Sequence, residues 1–165
     1  MRSFPPRSLH YGLLLIAGLF IWRSAGLMPP LVASHFVASG VANAYVPRGN
    51  YVNVMLVAGV LVPALLSELI GAVSRLSGTL RIPNKDYWMA PERREQSFAY
   101  MTSHARWFGC LLSGFICYVH WLVIGANRMQ PPELPPGRVI PALIVFVLGA
   151  VAWGVALQLR FLRRR

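Results

Sequence analysis

Four long apolar stretches constrain the fold of this chain more than any other feature of its sequence. They cover about residues 11–28, 51–73, 107–126 and 139–159. As a helix, each stretch is long enough to cross roughly 30 Å of hydrocarbon. Lipid offers the backbone no hydrogen-bond partners, so a chain of this kind crosses a membrane as helices. We therefore predict an all-α integral membrane protein with four transmembrane helices in a single membrane domain.

The composition argues against a water-soluble domain. Hydrophobic residues make up 56% of the 165 residues, and only 13% are Asp, Glu, Lys or Arg. Soluble domains contain about 25% charged residues, so these few cannot cover a water-facing surface. The net charge of +11 would suggest nucleic acid in a soluble chain, but here the basic residues lie between the apolar stretches. They indicate topology signals and contact with anionic lipid, so we expect the lipid bilayer, and no nucleic acid, as partner.

The distribution of the basic residues predicts the orientation of the helices. Cytoplasmic segments carry the excess of arginine and lysine in membrane proteins. The N-terminus, the connection between the second and third helices and the C-terminus together hold 12 of the 16 basic residues. Both termini are therefore predicted to be cytoplasmic, which agrees with an even number of helices. The basic residues predicted outside are Arg23, Arg48, Arg128 and Arg138.

The connections between the predicted helices differ in length. An outer loop covers about residues 29–50, a long inner loop covers 74–104, and a second outer loop covers 127–138. Loops longer than about 12–15 residues are usually functional or have structure of their own. Within the inner loop, Pro91 followed by acidic residues marks the start of a helix. This helix either lies on the inner membrane surface or extends the third span into the cytoplasm.

The first apolar stretch is also compatible with a secretory signal peptide. Arg2 and Arg7 precede it, and the small residues 24–26 follow it. However, Arg23 stands directly before those small residues, and no Ala-x-Ala cleavage pattern follows. We expect an uncleaved signal-anchor helix.

Three ionisable residues lie inside the predicted spans, where such residues are rare and usually functional. Arg23 is near the outer end of the first span, where its side chain can reach the interface. Glu68 either pairs with Arg75 or binds a proton or a ligand. His120 either hydrogen-bonds a neighbouring helix or joins His35 of the outer loop in a metal or haem site.

The sequence contains no pattern typical of a catalytic site. Nucleophile-elbow, P-loop, HExxH, GxGxxG and Cys-x-x-Cys motifs are all missing from it. Cys110 and Cys117 are about 10 Å apart on one helix, which is too far for a disulfide. We expect a non-enzymatic protein with no metal site and no cofactor, apart from the haem or metal alternative at the two histidines.

The first outer loop is similar to a known family. Residues 29–45 read Pro-Pro-Leu-Val-Ala-Ser-His-Phe-Val-Ala-Ser-Gly-Val-Ala-Asn-Ala-Tyr. This run resembles the bacterial domain of unknown function 1648, which is shared with immunity and signalling membrane proteins of the SdpI type. The run Ile-Pro-Asn-Lys-Asp-Tyr-Trp over residues 82–88 also resembles a segment common in proteobacterial members. The matching positions of the outer loop are Pro29, Val32, His35, Phe36, Gly40 and Tyr45.

The resemblance implies a protein of the bacterial inner membrane with an accessory, sensing or immunity role. It would act through the outer loop on a peptide or another membrane protein. We expect His35 and Phe36 to form the working surface, Gly40 to permit a tight turn, and Arg23 and Arg48 to shape the charge. In a structural alternative, the loop is a packed lid in which His35 hydrogen-bonds the backbone.

A second function stays open on the sequence alone. In that alternative the chain is a small transporter or a redox subunit that binds haem or a metal. It would use Glu68, His35 and His120, with Glu68 and His120 forming a polar site inside the membrane.

Overall fold

The computed structural model describes residues 7–76 and 82–163, and all their side chains except those of residues 74–76. A 3₁₀ turn (Ala25–Leu27) follows the first helix, and a π-helical segment (Val57–Leu61) joins the second helix to the third. The other elements are α1 (Arg7–Ser24), β1 (Leu31–Phe36), β2 (Ala42–Pro47), α2 (Arg48–Leu56), α3 (Val62–Leu76), α4 (Lys85–Trp88), α5 (Pro91–Ala126) and α6 (Pro136–Leu162).

Four helical segments are long and apolar enough to cross a membrane, which confirms the predicted number of spans. Many of their leucine, isoleucine and valine side chains face away from the bundle and are exposed. Such surfaces are stable in hydrocarbon, since lipid covers them. Spans 1 to 4 are Arg7–Leu27, Arg48–Val73, Pro91–Ala126 and Pro136–Leu162.

Span 3 is one continuous helix of 36 residues, which decides between the two interpretations of the inner loop. At 1.5 Å per residue it is about 54 Å long, whereas the hydrocarbon is roughly 30 Å thick. The segment that begins at Pro91 therefore extends the span, and does not form a separate surface helix. Pro91 suits this start, because its missing N–H would have no helical partner there.

Span 2 changes its helical pitch just before Pro63. Proline lacks an N–H, and its ring collides with the carbonyl group four residues earlier, here that of Gly59. The wider π-helical turn at Val57–Leu61 contains this glycine and accommodates the proline. Gly59 also permits close packing, because a Cβ atom there would lie only 3.0 Å from Cγ2 of Ile116 in span 3.

The most extensive packing in the bundle is between α3 and α5. A Cβ atom at Gly109 would lie 3.2 Å from the carbonyl oxygen of Pro63. One at Gly71 would lie 2.9 Å from Oγ1 of Thr102. Small residues let membrane helices approach this closely, and van der Waals packing then holds them together.

Span 4 packs on the outside of this three-helix core and is held mainly by aromatic residues. His104 of α5 donates through Nε2 to the carbonyl oxygen of Trp153 in α6, at 2.9 Å. The indole Nε1 of Trp153 donates in return to the carbonyl oxygen of His104, at 2.8 Å. The two rings are stacked with their centroids 4.8 Å apart.

A β-hairpin in the connection between spans 1 and 2 departs from the all-α prediction. Strands β1 and β2 pair antiparallel, with Val32 opposite Val46. The hairpin covers one end of spans 1 to 3, where Val32 is fully buried in an apolar cluster with Ile21, Tyr51 and Ile124. We call this end of the bundle the hairpin end. The opposite end, which carries Arg7, Arg93, Arg160 and Arg163, is the basic end.

Candidate functional site at the hairpin end

The turn of the hairpin depends on Gly40. Its N–H donates to the carbonyl oxygen of Val37 at 2.8 Å, which closes the turn. The backbone of Gly40 has φ = +92°, a conformation that side-chain-bearing residues rarely adopt. A Cβ atom there would also lie 2.5 Å from the carbonyl oxygen of Leu134, in the connection between spans 3 and 4. Gly40 therefore provides the predicted turn and lets this connection pass directly against it.

The connection between spans 3 and 4 clamps the hairpin from the side. The N–H of Leu134 donates to the carbonyl oxygen of Gly40 at 2.8 Å, and Val41 pairs with Glu133 as in a short antiparallel bridge. At the other side of the hairpin, Asn127 pairs with Ala33 of β1. Its Oδ1 accepts from the Ala33 N–H at 2.8 Å, and its Nδ2 donates to the Ala33 carbonyl oxygen at 3.0 Å. The end of span 3 thus holds the hairpin in one place.

Arg48 closes the base of the hairpin. Its guanidinium donates to the carbonyl oxygen of Met28 at 3.0 Å, and its backbone N–H donates to the carbonyl oxygen of Pro30 at 2.9 Å. Both acceptors lie in the segment between span 1 and β1, on the other side of the hairpin from Arg48. Arg48 therefore has a structural position, although its side chain remains exposed.

The structure separates His35 from Phe36. His35 is exposed on the hairpin, and among the described residues its ring has no hydrogen-bond partner. Phe36 is half-buried and packs against the apolar cluster beneath the hairpin. The expected working surface therefore contains the imidazole of His35 but little of the Phe36 ring. Arg23 is exposed on span 1, and within the described part of the chain its side chain makes no ion pair.

Beneath the hairpin, His120 is fully buried between three helices. Its Nε2 lies 2.8 Å from Oγ of Ser24 in α1, and its Nδ1 lies 3.1 Å from the hydroxyl of Tyr51 in α2. Ser24 donates its only hydroxyl proton to backbone carbonyl groups of α1, with Oγ 2.6 Å from the carbonyl oxygen of Phe20. This matches the prediction that His120 hydrogen-bonds neighbouring helices.

The hydrogen-bond donors and acceptors around His120 indicate which of its ring nitrogens carries the proton. Because the Ser24 proton is used on its own helix, Ser24 accepts from Nε2–H of His120. A charged ring would be costly in this fully buried position, where no carboxylate of the described residues contacts it. In the neutral ring Nδ1 carries no proton, so it accepts from the hydroxyl of Tyr51, and both nitrogens are occupied by protein groups. The group links spans 1, 2 and 3 directly below the hairpin.

A second polar group lies toward the basic end and includes Glu68. The carboxylate of Glu68 accepts a hydrogen bond of 2.8 Å from the hydroxyl of Tyr11. It also lies 3.6 Å from the guanidinium of Arg106 and 3.8 Å from that of Arg7. Glu68 thus links span 2 to spans 1 and 3 through these contacts. The expected partner Arg75 has a side chain outside the described residues.

His10 adjoins this group; its place at the start of the first apolar stretch suggests an interfacial residue, but the structure buries it. The ring is fully buried, with Nε2 3.3 Å from Oγ of Ser67 and Nδ1 3.4 Å from Sγ of Cys110. A Cβ atom at Gly109 would lie 2.9 Å from the ring, so only glycine leaves room for it there. His10 is the fourth residue of α1, and the small residues Ser67 and Gly109 leave room for its ring.

Glu68, His120 and His35 do not form one site. Tyr11 contacts Glu68 and Ser24 contacts His120, and these two residues of α1 are about 20 Å apart along the helix axis. His35 lies on the exposed hairpin, whereas His120 is enclosed by helices. Within residues 7–76 and 82–163, no three His, Cys, Asp or Glu side chains come together as a metal ion would require.

Neither protein-family models, nor curated proteins, nor solved structures match this chain.

Proposed function

We propose that this chain is a non-enzymatic membrane protein that recognises a partner through its hairpin. The observation that supports this most strongly is that the hairpin is held rigidly while its far face stays open. Asn127, Leu134 and Arg48 fasten it to the bundle. A binding surface held on a rigid support loses little conformational entropy when a partner docks.

The exposed face of the hairpin has the composition of a contact surface. Four of its apolar side chains are between 42% and 57% exposed, beside the imidazole of His35. Exposed apolar groups with a polar rim are typical of protein-contact or membrane-contact sites. The apolar residues of this face are Leu31, Val37, Val41 and Tyr45.

A peptide or another membrane protein at the membrane surface fits this face, in an accessory, sensing or immunity role. The resemblance of residues 29–45 to the domain of unknown function 1648 points to the same roles. The excess of basic residues at the basic end supports a location in the bacterial inner membrane with both termini cytoplasmic. Alkaline phosphatase and fluorescent-protein fusions to the C-terminus test this orientation, and phosphatase activity of the fusion would reject it.

Photo-crosslinking in living cells tests the recognition. A photoreactive amino acid is placed at position 35 or at position 45 on the exposed face, and at position 94 near the basic end as the control. We expect a discrete adduct from positions 35 and 45 only. The same adduct should be lost in a Gly40→Val background that still inserts into the membrane. Identical adducts from all positions, or none from the hairpin, would reject the proposal.

The transporter or redox alternative now has one observation in its favour. Ionisable side chains inside a membrane bundle often mark a transport or proton pathway, and Glu68, Arg106 and His10 lie together between spans 1 to 3. A visible absorption spectrum of the purified protein tests the haem form of this alternative. Proton flux into vesicles that contain the protein, compared with Glu68→Gln, tests the transport form.

A further inference from the structure

A crevice of about 780 Å³ opens between α5 and α6 at the basic end. Its volume lies within the range of ligand-binding pockets, about 300–1,000 Å³. It is lined by three arginines: Arg93 of α5, and Arg160 and Arg163 at the end of α6. Gln96 and Tyr100 add polar atoms to the wall.

Aromatic rings hold two of these guanidinium groups in place. Arg160 lies over the ring of Trp88, 4.3 Å from its centroid, and 5.4 Å from that of Tyr100. Arg93 lies 4.2 Å from the centroid of Tyr87. A guanidinium that stacks through its flat face keeps the N–H donors at its edge available for an anion.

The ring of Trp88 is itself fixed. It is buried, and its Nε1 donates to the carbonyl oxygen of Phe161 at 2.9 Å. The carbonyl oxygen of Trp88 accepts from Ser97 of α5 at 2.9 Å. The short helix α4 therefore connects α5 to the end of α6. Through the ring of Trp88 it positions Arg160 in the absence of a ligand.

Among the described residues, no carboxylate forms an ion pair with the arginines of the crevice. Both ion pairs among the described residues involve Glu68, and neither includes Arg93, Arg160 or Arg163. Glu92 and Glu95 lie nearby on α5 but are exposed, and they do not line the crevice. Guanidinium groups that are ordered and lack a carboxylate partner form a site for an anion, and phosphate matches their geometry.

The surroundings of the crevice suit a ligand that has both a charged head and an apolar chain. Arg160 lies in the last turns of span 4, close to where that helix leaves the hydrocarbon. A smaller cavity shares Tyr100 with the crevice and continues along α5 past His104 to Trp107. Trp107 is 42% exposed on the face of span 3, where a lipid chain would contact it.

We propose that this crevice binds the phosphate headgroup of an anionic phospholipid, with an acyl chain lying along α5 past Tyr100 and Trp107. Arg160 and Arg93 donate to the phosphate oxygens. Basic pockets between membrane helices on the side rich in arginine are where such headgroups bind in general. The site is separate from the hairpin surface, at the other end of the bundle.

Lipid retention by the full chain tests the proposal. The protein in zwitterionic detergent is titrated with dioleoyl phosphatidylglycerol or with dioleoyl phosphatidylcholine, and bound lipid is counted by native mass spectrometry. We expect one phosphatidylglycerol to bind in preference to phosphatidylcholine. Arg160→Gln should weaken this binding about tenfold, the effect of losing one charge-assisted contact. Arg93→Gln should also weaken the binding of phosphatidylglycerol, and it takes the place of Arg160→Gln if that variant does not fold.

Arg94→Gln is the matched control, because Arg94 is the neighbour of Arg93 on α5 but is exposed outside the crevice. It should change the affinity less than twofold. An equal loss in Arg94→Gln and the crevice variants would mean diffuse surface charge and would overturn the proposal. Displacement of the lipid by millimolar glycerol 3-phosphate would also overturn it, since the site would then select free phosphate and not a lipid.

Discussion

The hydroxyl of Tyr51 donates a 3.1 Å hydrogen bond to Nδ1 of His120, and the two rings stack with their centroids 5.6 Å apart. Tyr51 lies in the first turn of span 2, directly below the hairpin, and His120 lies in the last two turns of span 3. The pair therefore joins the support of the proposed recognition surface to the core of the bundle. Its contribution to stability can be measured without touching the exposed face.

Tyr51→Phe is expected to lower the free energy of unfolding by about 0.5–2 kcal/mol, because Nδ1 of His120 stays buried without a donor. Thermal or denaturant unfolding in detergent measures the change. Tyr118→Phe is the control, since its hydroxyl is on the bundle surface and makes a hydrogen bond of only 3.4 Å. Equal effects of the two changes would contradict the role given to the Tyr51 hydrogen bond.

Gly40→Ala is expected to loosen the hairpin by about 1–3 kcal/mol. The added Cβ meets the Leu134 carbonyl oxygen, and the backbone needs a positive φ. Hydrogen exchange of the Ala33 amide, which Asn127 protects, should become faster while the four spans stay intact. Gly49→Ala lies in α2 with open space around it and should leave this exchange unchanged. Unchanged exchange of the Ala33 amide in Gly40→Ala would show that the contact between Gly40 and Leu134 does not hold the hairpin in place.

Gly109→Ala is expected to lower the free energy of unfolding by about 1–3 kcal/mol, because the methyl group meets both the His10 ring and the Pro63 carbonyl oxygen. Gly114→Ala on the same helix has open space and should be neutral or stabilising by up to about 1 kcal/mol. Unfolding of the two variants under identical conditions provides the comparison. A larger loss in Gly114→Ala would show that His10 packs elsewhere.

A double-mutant cycle between Glu68 and Arg106 is expected to show a coupling of about 0.5–3 kcal/mol. Only 17% of the Arg106 side chain is exposed, and its Nε is buried without a hydrogen-bond partner in the described structure. Removal of the Glu68 charge therefore leaves this guanidinium poorly compensated. The variants are Glu68→Gln, Arg106→Gln and their combination, measured by thermal unfolding.

A cycle between Glu68 and Arg7 serves as the comparison, because the Arg7 side chain is 67% exposed and 3.8 Å from the carboxylate. Solvent screening makes such exposed pairs weak, so this coupling should be near zero. A stronger coupling to Arg7 than to Arg106 would reverse the assignment of the main partner.

The sequence predicted the site at the hairpin end only in outline. The turn at Gly40 was predicted, because glycine between two apolar runs is typical of a turn. The strands on either side were not, since the register shifts around His35 break the alternation that marks a strand. The separation of His35 from Phe36 follows from that irregular pairing and from the packing of Phe36 on the bundle.

The polar partners were harder to predict. His120 was expected to bond a neighbouring helix, but Ser24 and Tyr51 could not be named. One alternative paired Glu68 with Arg75, whose side chain lies outside the described residues. The partners of Glu68 that the structure describes come from spans 1 and 3. A hydrogen-bond partner inside a bundle is chosen by the rotation of each helix about its axis, which no local pattern encodes.

The sequence by itself determined that four segments of this chain form apolar helices. Each has too many apolar residues in a row for any other element, and a backbone in lipid must satisfy its own hydrogen bonds. Only the tertiary structure decided what those helices bring together. His120 meets Ser24 from 96 residues away, and His10 meets Cys110 from 100 residues away. Such contacts arise from close helix packing through small residues, and packing of this kind depends on shape in three dimensions.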